Sequence, residues 1–201
     1  MFQEILDNKL VPVVTFNSID EVNPVLTALS EGGVQVAEIC FRTACSKEAL
    51  KLALEKFPFM LIGAGTVINK EQANDAIDLG AKFIVSPGLS EEVAKVCKTR
   101  HIPYIPGVVT PTEIMKALEL DLTYLKFFPA GVYGGLKAIK ALSSAFPQVK
   151  FMPTGGVDNS NLAEFVKEKS IFAIGGSWLI KGDIISNCKE AINIVKNNNL
   201  N

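Results

Sequence analysis

The chain has 201 residues, 48% of them hydrophobic and 20% charged, a composition typical of a folded globular protein rather than a disordered one. Its net charge of −1 provides no basic surface, so neither nucleic acid nor an anionic membrane is expected as a partner. No apolar run approaches the roughly 20 residues of a membrane span, and the N-terminus does not resemble a signal peptide, so a cytoplasmic location is expected.

Short apolar runs alternate with longer amphipathic stretches along the chain. The predicted strands are 11–16, 34–41, 59–65, 82–87, 102–107, 123–129, 149–155 and 170–176. The predicted helices are 18–33, 46–57, 69–80, 90–100, 110–120, 134–146, 160–169 and 184–197. Several helical patterns open with Ser, Asn or Thr and have Glu soon after, which is typical of a helix N-terminus.

Apolar strands joined by helical crossovers predict a parallel sheet. Eight strand–helix units in 201 residues predict a single (β/α)₈ TIM-barrel domain over residues 1–201. A doubly wound open sheet is the competing fold, but no GxGxxG motif follows the first strand. In a barrel the active site lies at the C-terminal ends of the strands, so polar residues and glycines at those ends are the functional candidates.

The sixth predicted strand carries a lysine within the apolar stretch TYLKFFPA. Because side chains alternate along a strand, Tyr124, Lys126 and Phe128 share one face, while Leu125 and Phe127 share the other. A lysine that faces the barrel interior is poorly solvated, which favours the neutral amine that attacks carbonyls and forms Schiff bases. The alternatives are a lysine that extends along an apolar wall to solvent, or one that is paired with a carboxylate.

The second predicted strand adds a buried carboxylate to the same interior. Glu38 and Arg42 lie on one face of this strand, together with Val36 and Cys40. We expect Glu38 to meet Lys126, either as a buried ion pair or as a proton-transfer couple. Arg42 is suited to bidentate recognition of a substrate carboxylate, and its alternative is a surface salt bridge.

Glycines and hydroxyls mark the ends of several other strands. Gly63 and Gly65 predict a close backbone approach, and Thr66 offers a hydroxyl at the mouth of the barrel. The motifs after strands seven and eight contain Thr154, Gly155, Gly156, Gly175, Gly176 and Ser177. Barrel enzymes bind phosphate at these two loops, so a phosphate site is predicted there in preference to plain tight turns.

Histidine and cysteine usage limits the chemistry. The single histidine, His101, precedes the fifth strand and is expected at the opposite end of the barrel, in a structural role. A metal site built on several histidines is therefore excluded, and no metal is expected. The four cysteines have no CxxC spacing and are interpreted as reduced thiols.

The motifs AEICFRT, GAGTV, IVSPGL, IPG, KFFPA, PTGGV and IGGSWL occur in this order from about residue 10 onward. In this combination the chain resembles the bacterial 2-keto-3-deoxy-6-phosphogluconate (KDPG) and 4-hydroxy-2-oxoglutarate (KHG) aldolases. The resemblance implies a class I aldolase in which Lys126 forms the Schiff base and Glu38 is the general acid/base. The other roles it implies are pyruvate binding at Arg42, Thr66, Pro87 and Phe128, and phosphate binding at Thr154, Gly155, Gly156, Gly176 and Ser177.

The resemblance also implies a homotrimer, a keto acid substrate and no cofactor beyond the lysine imine. The loop GVYGG after KFFPA departs from the family pattern and bears on substrate preference. Arg42 favours the gluconate or hydroxyoxoglutarate type of aldolase over the type that acts on the galactonate epimer. The alternatives that stay open are the galactonate aldolase, a phosphosugar epimerase or isomerase, a non-catalytic phosphosugar-binding protein, and a structural trimeric scaffold.

Overall fold

The computed structural model describes residues 5, 7 and 9–198. Strands form at all eight predicted places, and most are shorter than the apolar runs that predicted them. They are β1 (Leu10–Val14), β2 (Val36–Cys40), β3 (Leu61–Gly65), β4 (Ile84–Val85), β5 (Tyr104–Ile105), β6 (Gly107–Val108), β7 (Tyr124–Phe127), β8 (Lys150–Pro153) and β9 (Ile174–Gly176).

The predicted helices are confirmed within a few residues. They are α1 (Val22–Glu31), α2 (Ser46–Lys56), α3 (Lys70–Leu79), α4 (Glu91–Thr99), α5 (Pro111–Glu119), α6 (Gly135–Ala145), α7 (Leu162–Val166) and α8 (Ile184–Asn198). Asn69 and Ser90 accept a hydrogen bond from the first turn of their helices, and Thr110 forms a capping box with Glu113. These three helix starts therefore lie where the sequence indicates them, whereas α1 begins at Val22 instead of residue 18 and α7 is only half as long as its pattern.

Every pair of hydrogen-bonded strands is parallel. One sheet has the order β5-β4-β3-β2-β1-β9, and the other has the order β6-β7-β8. The fifth predicted strand is split at Pro106, which has no N–H group to donate, so β5 pairs with β4 and β6 pairs with β7. Isolated parallel bridges connect Phe151 with Ile171 and Thr154 with Gly175. The result is a curled parallel α/β sheet, as expected for this pattern.

The two faces of the strands have different apolar neighbours. Leu125 and Phe127 belong to the larger cluster, which combines apolar residues of the strands and the helices. A smaller cluster inside the curl consists mainly of strand residues, and Tyr124 packs against it with its ring 5.0 Å from that of Phe172. The alternation predicted for the sixth strand, which is β7 in the structure, is thus confirmed, and Lys126 lies on the inner face. Of the helices described, none is long and apolar enough to cross a membrane.

Candidate active site

Lys126 and Glu38 form a buried pair inside the curled sheet. They lie on β7 and β2, in different sheets, and Lys126 Nζ is 3.2 Å from Glu38 Oε1. Lys126 is 5% exposed and Glu38 is fully buried. Lys126 Nζ also lies 5.1 Å from the centroid of the Phe128 ring, within the range of a cation–π contact. The predicted meeting of the lysine and the glutamate is confirmed.

The second oxygen of Glu38 has a different environment from the first. Oε2 is buried and has no hydrogen-bond partner among the described residues. An unsatisfied buried acceptor costs free energy, and an ionised carboxylate has acceptor capacity on both oxygens. Glu38 can therefore hold Lys126 with one oxygen while the other accepts a proton or a hydrogen bond from a bound molecule.

Cys40 and Arg42 follow Glu38 on the same side of β2, toward and beyond the C-terminal end of the strand. Arg42 is exposed and donates through Nε and Nη2 to Thr15 Oγ1, at 3.0 and 2.5 Å. Burial, reinforced by the nearby charge of Glu38, raises the pKa of the Cys40 thiol, while hydrogen bonds with Thr66 and Thr15 act in the opposite direction. Neither the contact of Thr15 nor a role for Cys40 was predicted from the sequence, although Cys40 shares a face with Glu38.

Thr66 follows β3 and is half-buried, with a backbone φ of 57°. This left-handed conformation is unusual for a β-branched residue and costs on the order of 1–3 kcal/mol. Pro87, also half-buried, follows β4, and its carbonyl oxygen lies so close to Gly107 that a side chain there would overlap it. Both predicted residues therefore lie in the loops that follow neighbouring strands, held in tightly constrained backbone.

Thr66→Gly should separate stability from activity. Removing the strained side chain should raise the free energy of unfolding by about 1 kcal/mol, measured by urea titration. Loss of the hydroxyl should lower kcat/KM by about 10-fold or more, the cost of one hydrogen bond to a charged group. Thr66→Ser should keep the activity. His101, which is exposed, also has a left-handed backbone, with φ 54°, so His101→Gly is the control and should change stability alone. Unchanged kcat/KM in Thr66→Gly would remove Thr66 from the site.

The loop after β8 lies beside the lysine's aromatic neighbour. Thr154 is 4% exposed, and Gly155 and Gly156 have φ values of 84° and 85°, which favour glycine. A Cβ on Gly155 would lie 3.7 Å from Phe128 Cε2. The loop predicted to bind phosphate is therefore next to the ring that lies under Lys126 Nζ.

The loop after β9 is brought to the same place. The bridge between Thr154 and Gly175 joins the start of the loop after β8 to β9 itself. Gly176 is buried, with no room for a side chain because the Trp178 ring lies against it, while Ser177 is exposed. Trp178 Nε1 donates to Asn159 Oδ1 at 2.8 Å, which fixes the ring at this position. The two glycine motifs are neighbours, as predicted; the contribution of Trp178 was not predicted.

Gly63 and Gly65 correct one expectation from the sequence. The space beside each glycine is filled by a side chain and not by a neighbouring backbone segment: the Phe83 ring lies against Gly63, and the Glu38 side chain lies against Gly65.

Within the described part of the chain, no three His, Cys, Asp or Glu side chains cluster in a way that could hold a metal ion. His101 is exposed and precedes β5, at the end of the strands opposite to Arg42 and Thr66.

Comparisons with known proteins place the chain in a family. The model of the KDPG and KHG aldolase family matches residues 2–195. The chain is 39% identical over 176 residues, 88% of its length and 83% of the relative's, to a KHG/KDPG aldolase of Escherichia coli K12.

Two solved structures are similar to the fold described above. The 2-keto-3-deoxy-6-phosphogluconate aldolase of Zymomonas mobilis with 3-phosphoglycerate has a TM-score of 0.90 and 35% identity, covering 94% of each chain. The KDPG aldolase of Legionella pneumophila, with pyruvate captured as a covalent carbinolamine intermediate, has a TM-score of 0.87 and 36% identity, covering 96% of this chain and 95% of that one. The protein described here therefore belongs to the KDPG and KHG aldolase family.

Proposed function

We propose that the protein is a class I aldolase, a lyase that cleaves 2-keto-3-deoxy-6-phosphogluconate to pyruvate and glyceraldehyde 3-phosphate. On the same grounds it also cleaves 4-hydroxy-2-oxoglutarate to pyruvate and glyoxylate. The observation that carries the proposal is the buried pair of Lys126 and Glu38, with Nζ and Oε1 3.2 Å apart. The carbinolamine captured in the Legionella pneumophila aldolase supports it, because a carbinolamine is the adduct of an amine with a ketone.

The first steps form the imine. The proton that Lys126 must lose has an acceptor in Glu38 Oε1, so transfer along this hydrogen bond yields a neutral amine and a neutral carboxylic acid. The amine attacks the C2 ketone of the substrate and forms a carbinolamine. Glu38 returns a proton to the carbinolamine hydroxyl, which leaves as water, and the cationic imine remains on Lys126.

The next steps break the carbon–carbon bond. Glu38 accepts the proton of the substrate's C4 hydroxyl, directly or through a water, and its Oε2, which has no hydrogen-bond partner among residues 5, 7 and 9–198, is suited to this role. The C3–C4 bond breaks, its electrons move to the imine nitrogen, and the aldehyde and a pyruvate enamine are formed. Protonation at C3 and hydrolysis then release pyruvate and restore Lys126. The imine serves as the electron sink, so the proposal needs no metal or other cofactor.

The remaining site residues are assigned to the two ends of the substrate. Arg42 and Thr66 bind the pyruvate carboxylate, with Pro87 and Phe128 forming the wall beside it. Thr154, the glycine backbone of the two loops and Ser177 bind the phosphate. The proximity of Gly155 to the Phe128 ring supports this division, because the ring lies between the proposed phosphate loop and Lys126 Nζ.

The assembly around the site is part of the same proposal. Only Pro106 separates β5 from β6, and two isolated bridges connect the segments of β8 and β9; we propose that the sheet closes there into a (β/α)₈ barrel forming one domain. The resemblance to the family further supports a cytoplasmic homotrimer that acts on small keto acids in Entner–Doudoroff metabolism.

Trapping with borohydride tests the function. Borohydride added with pyruvate should inactivate the enzyme and leave one reduced pyruvyl group per chain, which peptide mass spectrometry should locate on Lys126. Borohydride without pyruvate should leave the activity intact. Full activity after treatment, without an adduct, would contradict the aldolase mechanism and favour an epimerase or isomerase that uses Glu38 as a base.

A further inference from the structure

Gly65, the last residue of β3, lies against the side chain of Glu38. A Cβ on Gly65 would lie 2.6 Å from Glu38 Cδ, and closer still to Cγ and Oε1. Its φ lies outside the left-handed region, so the backbone does not require a glycine here. The need for glycine at this position comes from the carboxylate that occupies the space.

Strand register explains why these two residues meet. Glu38 is paired with Gly63, and Cys40 is paired with Gly65. The Glu38 side chain therefore leans toward the C-terminal end of its strand, diagonally across β3, until it passes over Gly65. This is the direction in which the substrate loops lie, and in this position Oε1 is 3.2 Å from Lys126 Nζ.

We propose that Gly65 is a positioning residue of the aldolase: the space above it holds the Glu38 carboxylate at Lys126. The inference rests on the proposed function, because the acid/base role of Glu38 gives the position its catalytic meaning. A methyl group at residue 65 would push the carboxylate away from the amine. Proton transfer depends on a heavy-atom distance of about 2.6–3.2 Å, so a displacement of about 1 Å is enough to disable it.

A double-mutant cycle tests whether Gly65 acts through Glu38. Gly65→Ala should lower kcat on the order of 100-fold, the typical effect of a 1 Å misplacement. The same change in the Glu38→Gln background should lower kcat only slightly further, because the group that it displaces no longer transfers protons. Losses that multiply across the cycle would show that the two residues act independently and would overturn the proposal.

Gly63→Ala is the matched control within the same strand. Its Cβ would lie 2.5 Å from the Phe83 ring, which belongs to the inner apolar cluster, and the three atoms nearest to it would all be atoms of that ring rather than of the Glu38 carboxylate. It should lower the melting temperature but leave kcat within a few-fold of the parent value. A loss of kcat as large as that of Gly65→Ala would indicate a general effect of distorting β3, and would also overturn the proposal.

Thermal unfolding provides a second test of the proposal that does not depend on catalysis. Gly65→Ala should lower the melting temperature in the parent protein but much less in the Glu38→Ala background, where truncation leaves room for the methyl group. If Gly65→Ala alone fails to fold, folding of the Gly65→Ala/Glu38→Ala protein supports the proposal. Equal destabilisation in both backgrounds, or failure of both proteins to fold, overturns it, whatever the outcome of the borohydride experiment.

Discussion

Lys126→Ala should lower kcat for aldol cleavage by a factor on the order of 10⁴ or more, because it removes the nucleophile on which every covalent step depends. The variant should also take up no pyruvate in the presence of borohydride. Lys150→Ala is the control: Lys150 lies on the adjacent β8 in register with Tyr124, and donates to the Lys169 carbonyl. It should keep both the activity and the adduct. A pyruvate adduct in Lys126→Ala would assign the imine to another lysine.

Removal of the Lys126 amine should also reduce stability. Without Lys126 Nζ, no cation of the described residues remains in contact with the buried Glu38 carboxylate, and removal of one partner of a buried ion pair costs about 3–5 kcal/mol. Urea unfolding should show this loss for Lys126→Met, which retains most of the side-chain volume. A Lys126→Met/Glu38→Leu protein should recover much of it, since no charge is then left buried.

Glu38→Gln should lower kcat by about 10²–10⁴-fold, the usual contribution of a general acid/base. The amide preserves the size of the side chain and an acceptor for Lys126, so the fold should be retained and the borohydride adduct should still form, but slowly. Single-turnover measurements can separate slow imine formation from slow cleavage. Glu164→Gln, on the exposed face of α7, serves as the control and should behave like the parent protein.

A kcat for Glu38→Gln equal to that of the parent protein would remove Glu38 from the mechanism. The pH dependence of imine formation in the same variant would add a second result. If the dependence matches that of the parent, the apolar surroundings of Lys126, including Phe128, govern the proton on the amine. If it changes, Glu38 governs it.

The central pair of the site could be predicted because it depends on two regular periodicities. Alternation along a strand puts Lys126 on one face with Tyr124, and puts Glu38 on one face with Cys40. Parallel strands with helical crossovers then bring the same ends of all strands together. These two rules are enough to place a lysine and a glutamate in one interior although 88 residues separate them.

Contacts that depend on the exact register and pairing of neighbouring strands could not be predicted from the sequence. Thr15, directly after β1, has no distinguishing feature until the register of Val13 with Glu38 brings it to Arg42. Pro106 is visible in the sequence, but the two halves of its strand pair with different sheets only in the folded chain.

Glycine illustrates the same limit. A sequence shows that a side chain is missing at position 65, but only the packed structure identifies Glu38 as the group that fills the space. Similarly, nothing in the pattern IGGSW indicates that the indole folds back on Gly176. Such side-chain placements follow from the shapes of neighbouring residues, which have no period in the sequence.

Trp178 is the single tryptophan of the chain, and its ring lies against Gly176, in the loops assigned to the phosphate. All indole fluorescence therefore originates beside the two loops proposed to bind the phosphate. The proposed phosphate site thus carries an intrinsic optical reporter, and the phosphate is the group by which phosphorylated and unphosphorylated keto acids differ. Equilibrium titrations followed by this emission can compare the two classes of ligand without a label, and even in variants that no longer catalyse the reaction.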